Sequence, residues 1–276
     1  MRIQFTKMHG LGNDFVVLWQ PPLEDAALSQ FSRTYSDRRF GIGFDQALIL
    51  WPSTNTDVRM DIYNADGSRV GMCGNGIRCV AKYIWDRGLS AKAELSIETP
   101  AGIMELRRRG DLIEVDMGVP VIGPPGLPSE KAGQGSPLIS LEVEQHKFGV
   151  TCVSMGNPHA VIFVQDVSSY PVQHYGPLIE SNTAFPKRTN VEFVQVEGPE
   201  AVLLRVWERG TGETLACGTG ACAAVVASHL NGLTGRRVRV QLTGGVLHID
   251  WSEKDQHVHM IGPAVEVFEG AVEFTP

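Results

Sequence analysis

Met72-Cys73-Gly74-Asn75-Gly76 and Ala216-Cys217-Gly218-Thr219-Gly220 decide how this 276-residue chain is read. Each sets a cysteine directly before a Gly-X-Gly turn that opens a long apolar run, 77–85 in the first case and 221–227 in the second. The cysteines stand 144 residues apart. The same offset carries Gly12-Asn13 onto Gly156-Asn157, Gln46 onto Asn190, Tyr63-Asn64 onto Trp207-Glu208, and Gly76 onto Gly220. One such pair is chance, but a common register is a duplicated unit. Tandem duplication brings equivalent points of two domains together about a pseudo-twofold axis, so Cys73 and Cys217 are expected to face one site.

The run over 74–87 is predicted as a helix stopping at Gly88, a suitable residue just past a helix end. Its second copy stops at Asn231-Gly232. A helix apolar on most faces must be buried on most faces. Each domain is therefore expected to be a mostly antiparallel sheet curled around a central apolar helix, which makes an α+β fold of two pseudo-symmetric duplicated domains. Residues 3–18 read as two strands joined at His9-Gly10-Leu11-Gly12-Asn13-Asp14. Ala26–Tyr35 reads as a helix, and Ala47–Trp51 and Met60–Tyr63 as strands. Asn64-Ala65-Asp66-Gly67 is a turn, with Asp66 as its Asx residue. Ile113–Met117 and Val238–Leu242 alternate as half-exposed strands do. Residues 118–137 hold five prolines and five glycines, the clearest composition break in the chain. The boundary is placed there, giving 1–117 plus 263–276 for the half with Cys73 and 118–262 for the half with Cys217. The last strand, Ala264–Phe268, has no mate in the second copy and is expected to return to the first domain.

The totals fit two domains of ordinary size. An apolar fraction of 43% with 20% charged residues can bury a core. A net charge of −7 argues against nucleic acid or an anionic membrane as partner. No window has the apolar length of a membrane-spanning helix, and the N-terminus has no apolar signal core, so a cytoplasmic location is expected. Arg107-Arg108-Arg109 and Arg236-Arg237 read as solvated turns. Five cysteines without a Cys-X-X-Cys make neither a disulfide framework nor a structural zinc site. Cys79, Cys152 and Cys222 read as small apolar core residues, and His257 and His259 as surface strand residues rather than metal ligands. No metal is expected.

A cysteine at a helix N-terminus sits where unanswered N–H groups and the helix dipole favour thiolate. The Gly-X-Gly turn lets backbone approach a ligand closely, so the same place can hold a carboxylate. Two such turns around one carboxylate suit proton transfer at the adjacent carbon, a thiolate base on one face and a thiol acid on the other. Where the duplication fails, specificity can enter: Asn64-Ala65 becomes Glu208-Arg209. An arginine fork suits a second carboxylate and a glutamate a second ammonium. Asn13, Asn157 and Asn190 could cap turns, but their shared register favours a site.

His9-Gly10-Leu11-Gly12-Asn13-Asp14-Phe15, Asn64-Ala65-Asp66-Gly67-Ser68, Cys73-Gly74-Asn75-Gly76-Ile77-Arg78-Cys79, Gly156-Asn157-Pro158-His159, Asn190-Val191-Glu192-Phe193, Glu208-Arg209-Gly210 and Cys217-Gly218-Thr219-Gly220-Ala221 together closely resemble the diaminopimelate epimerases. The resemblance covers almost the whole chain. It implies that family's fold and a cofactor-independent interconversion of LL- and meso-diaminopimelate, in lysine and peptidoglycan precursor synthesis. It further implies Cys73 and Cys217 as the acid/base pair, with His159 and Glu208 tuning the thiols. Asn13, Gln46, Asn64, Asn157, Asn190, Glu208 and Arg209 would contact substrate, while Gly74, Asn75, Gly218 and Thr219 would hold the reacting carboxylate. Members are generally homodimers with an aromatic, commonly tyrosine, at the interface. Phe268 stands there, which keeps the contact and loses the hydroxyl. A Rossmann reading of Gly218-Thr219-Gly220-Ala221 fails, because no Asp or Glu occurs between Thr214 and Ile249. Proline racemase-like and phenazine-pathway enzymes are rivals within the fold. Glu208-Arg209 argues against the former and the cysteine pair against the latter. A non-catalytic binding protein with inert cysteines is the rival from another class.

Overall fold

The computed structural model describes residues 1–71, 73–123 and 138–276. Met72 and most of the Pro/Gly-rich break lie outside the described residues. The chain divides into two compact units, Met1–Val115 with Gly262–Pro276, and Asp116–Ile261.

The first unit opens with β1 (Arg2–Gly10) and β2 (Asn13–Trp19). They form a hairpin whose turn, Leu11-Gly12, has φ of 57° and 88°. After α1 (Asp25–Tyr35) come β3 (Gln46–Trp51), β4 (Val58–Asn64), β5 (Arg69–Val70), α2 (Gly74–Asp86), β6 (Glu94–Thr99), β7 (Gly102–Arg109) and β8 (Leu112–Asp116). Neighbours pair antiparallel except at β2–β3 and β4–β6.

The second unit holds β9 (Val121–Ile122), β10 (Leu138–Val143), β11 (His146–Ser154), β12 (Pro158–Phe163), α3 (Val172–Glu180), β13 (Asn190–Gly198) and β14 (Ala201–Glu208). It continues through β15 (Gly212–Thr214), α4 (Gly218–Leu230), β16 (Arg237–Leu242), β17 (Gly245–Trp251) and β18 (Val258–Gly262). Its parallel steps are β12–β13 and β14–β16. The duplication is visible in the register: Phe15 faces Gln46 in the first unit and His159 faces Asn190 in the second. The last strand, β19 (Val265–Glu273), pairs antiparallel with β1 from Arg2↔Glu273 to His9↔Val265. It is longer than the sequence pattern indicated, because its exposed half carries polar residues that mask the alternation.

The two central helices differ in burial. In α4 every residue from Gly220 to Ser228 is buried, and the helix packs on β11–β14, β16 and β17. In α2, burial is continuous only from Asn75 to Ala81, where it packs on β1, β2 and β19. Lys82, Tyr83 and Trp85 are half-exposed, and Lys82 pairs with Asp86 at 2.8 Å. Burial on most faces thus holds along α4 and gives way after Ala81 in α2. Arg78, Lys82 and Asp86 recur every four residues and make one polar stripe. Arg78, at the enclosed end, is 0% exposed and donates to Gly74 O, Pro263 O and Asn75 Oδ1. Arg107–Arg109 is also corrected: these residues lie in β7, where Arg107 meets Glu94 at 2.7 Å and Arg109 meets Glu114 at 2.6 Å.

Beside these helices, the first unit has an apolar cluster of Ile3, Phe5, Val16, Leu18, Phe31 and Phe274 among others. Phe274 meets Phe31 edge-on at 5.6 Å between centroids. Phe274→Ala should therefore cost about 3 kcal/mol of stability in denaturant unfolding, the usual result of emptying an aromatic core position. A change below about 0.5 kcal/mol would show that the terminal segment is not part of that core.

Candidate functional site

Cys73 is the N-cap residue of α2, in extended conformation (φ −144°, ψ 107°), and its sulfur accepts from Gly76 N–H at 3.4 Å. The first helical bond runs from Ile77 N–H to Cys73 O, so the N–H groups of Gly74 and Asn75 precede the hydrogen-bonded ladder. The thiol points at Asn13 Oδ1, 3.7 Å away. Asn13 is held in that sense because its Nδ2 donates to Asp45 Oδ2 at 2.7 Å. Asp45 in turn shares Arg38 with Asp14, and Lys7 reaches Asp14 and Gly43 O from below. Burial would raise Asp14, but hydrogen bonds from Arg38 and Lys7 outweigh it and hold the carboxyl at about 2. Gln46 donates to Asn64 Oδ1 at 2.9 Å across β3–β4, and Asn64 donates to Ser68. Gln46 Oε1 is buried and accepts nothing among the described residues.

In the second unit Cys217 is the extended N-cap residue of α4 and is buried. Glu208, at the end of β14, accepts from Thr214, and its charge acts on the Cys217 thiol. Thr219 Oγ1 lies 3.5 Å from the Cys217 sulfur and receives Asn157 Nδ2 at 3.2 Å. Asn157 Oδ1 is 3.0 Å from His159 Nε2, and His159 Nδ1 is 2.7 Å from Glu192 Oε1. Asn190 donates to Pro158 O and accepts from Arg209 N–H, which ties the loop after β14 to β13. The Arg209 guanidinium is exposed and rests on Lys187 O.

Each unit therefore gathers its own set: Asn13, Gln46, Asn64, Gly74 and Asn75 with Cys73, and Asn157, His159, Asn190, Glu208, Arg209, Gly218 and Thr219 with Cys217. At Cys217 the helix terminus, which favours thiolate, is opposed. Burial pushes its thiol well above the usual range, and the charges of Glu208 and Glu192 push the same way. The Thr219 hydroxyl and Gly220 N–H oppose them without prevailing. Burial likewise raises Glu208 and Glu192. Cys79 and Cys152 are pushed up to about 12 by burial, in keeping with inert core thiols. Asp45 and Glu192 went unsingled in the sequence. The available signal for Glu192 was a carboxylate inside the apolar run of a central strand. His257 is not simply surface, since its Nδ1 lies 2.8 Å from the Asp116 carboxylate. Among the described residues no cluster of three or more His, Cys, Asp or Glu could hold a metal.

The sign of the Cys217 shift gives a pH test. A neighbouring carboxylate disfavours thiolate, so Glu208→Gln should move the alkylation of Cys217 by iodoacetamide to lower pH by about one unit. An unchanged alkylation profile would separate Glu208 from that thiol. Comparison with known proteins places this geometry. The family described as Diaminopimelate epimerase matches over residues 5–123 and 151–267. The diaminopimelate epimerase of Acetivibrio thermocellus is 47% identical, over 98% of this chain and 99% of that one. That of Pelotomaculum thermopropionicum is 50% identical, over 97% and 98%. Among solved structures, a phenazine biosynthesis protein of the PhzF family from Bacillus anthracis superposes with a TM-score of 0.74 at 17% identity, covering 99% of this chain and 100% of that one. A hydroxyproline epimerase from Agrobacterium vitis does so with 0.69 at 15%, covering 98% and 91%. These two share the fold alone. With its family match spanning most of both halves and relatives near half-identical over almost their full length, the chain belongs to the diaminopimelate epimerase family.

Proposed function

We infer that the chain is an isomerase that interconverts LL- and meso-2,6-diaminopimelate by replacing the proton on one α-carbon from the opposite face. The reaction needs a base and an acid, and these roles fall to Cys73 and Cys217. One sulfur takes the α-proton, leaving the electron pair delocalised into the carboxylate. The other returns a proton, and the roles exchange in reverse. The observation that carries this reading is the cysteine at the N-cap of each enclosed helix, beside N–H groups able to hold a carboxylate as negative charge grows on it. Cys217, whose thiol burial raises, suits the acid role, with Glu208 tuning it alongside His159. Asn13, Gln46, Asn64, Asn157 and Asn190 bind the substrate's polar groups. Arg209 and Glu208 recognise its second carboxylate and ammonium. No cofactor takes part.

The same reading makes the chain a cytoplasmic enzyme of lysine and peptidoglycan precursor synthesis. No helix among the described residues is long and apolar enough to cross a membrane. It also makes the chain a homodimer through β19, where Val265, Val267 and Phe268 are 42%, 54% and 46% exposed. Phe268 meets Phe5 edge-on at 5.9 Å and turns its other side outward.

Solvent deuterium wash-in at the α-carbon tests the chemistry. The wild type should exchange, whereas Cys73→Ala and Cys217→Ala should each lose interconversion by at least about 100-fold. Turnover at the parent rate in either variant would remove that thiol from the mechanism. Phe268→Glu should shift sedimentation from dimer to monomer, and an unchanged sedimentation coefficient would place any interface elsewhere.

A further inference from the structure

Glu192 is 0% exposed near the start of β13, and the proposed mechanism gives it no task. His159, equally buried, lies 2.7 Å from its Oε1, and Oε2 has no hydrogen-bond partner among the described residues. Such a half-satisfied buried pair adds little stability over a well-packed apolar one. The chain carries its own control. Moved back by the duplication offset, His159 falls on Phe15 and Glu192 on Leu48. Both pairs sit in the same register of the same parallel strand step. Phe15 and Leu48 close against the point where a Gly76 side chain would stand, at 3.3 and 3.2 Å. At Gly220 the matching point has Glu192 Oε1 at 2.8 Å and the Cys217 sulfur at 3.4 Å. The fold thus closes around hydrocarbon here in one unit and around an acid and an imidazole in the other.

What the polar pair adds is a directed line of hydrogen bonds. Asn157 Nδ2 donates to Thr219 Oγ1, so its Oδ1 faces His159 Nε2, which therefore carries a proton. A second proton lies in the short contact between Nδ1 and Glu192. Thr219, already accepting from Asn157, keeps its own hydrogen for the Cys217 sulfur. We propose that Glu192 is a positioning residue of this enzyme, acting through His159 and Asn157 to keep the Thr219 hydroxyl aimed at Cys217. Without the acid, the imidazole can take the other tautomer. Asn157 can then reverse, and Thr219 turns to the amide oxygen instead of the sulfur. The line supplies a donor to the sulfur when Cys217 gives up its proton.

This inference rests on Cys217 being an acid/base of the epimerisation, and the experiment separates the two. Glu192→Gln should lower kcat about 10- to 100-fold, the range found for outer partners of working histidines in metal sites, with KM nearly unchanged. In a Thr219→Val background, where the last link is already cut, Glu192→Gln should add less than about twofold. The double variant His159→Phe with Glu192→Leu copies the first unit's packing. It should melt no lower than the parent and show a similar loss of kcat. Loss in KM rather than kcat, multiplicative effects with Thr219→Val, or parent kcat in the Phe/Leu variant would each overturn the proposal while leaving the thiol assignment intact. An active Cys217→Ala enzyme would instead overturn both.

Discussion

A helix enclosed by a sheet must begin somewhere, and its first turn exposes N–H groups that no helical carbonyl answers. In both units of this chain that beginning is a cysteine followed by Gly-X-Gly. The glycines are required by space: a Cβ at Gly76 would meet Leu48 and Phe15 at 3.2 to 3.3 Å, and one at Gly220 would meet Glu192 Oε1 at 2.8 Å. The close approach that excludes larger residues also leaves each cysteine beside the first N–H groups of its helix. Apolar packing further along each helix holds that end in place, so the chemistry at the turn depends on the core behind it.

Much of this was legible in the sequence because duplication turns one chain into its own comparison. The shared offset located both cysteines, the Gly-Asn loops and the strand ends bearing Gln46, Asn64, Asn190 and Glu208. The structure returns these at matching places in the sheet register. What was not legible has physical causes. Arg78 looks like a surface residue in any composition count, yet it is buried because carbonyls of Gly74 and Pro263 and the Asn75 side chain accept its donors. The arginines of β7 read as a turn because charge hid the strand, while Glu94 and Glu114 across the ladder neutralise them. Which sulfur keeps its proton was not legible, because position at a helix terminus is a local signal that both cysteines share. The carboxylates that oppose it come from β13 and β14, distant in sequence.

The two halves are alike in backbone and unlike in electrostatics, and the second fact follows from where substitutions accumulated. Half-exposed Cys73 meets an amide whose orientation is fixed by an acid already engaged with Arg38. Enclosed Cys217 feels the charges of Glu208 and Glu192. Two identical surroundings would give the two sulfurs the same preference for their proton. Burial, and then the carboxylates of Glu208 and Glu192, make one sulfur hold its proton more tightly than an ordinary thiol. The stability forgone at Phe15 and Leu48's counterparts, where the second unit keeps His159 and Glu192 instead of hydrocarbon, is then the cost of telling two copies of one turn apart.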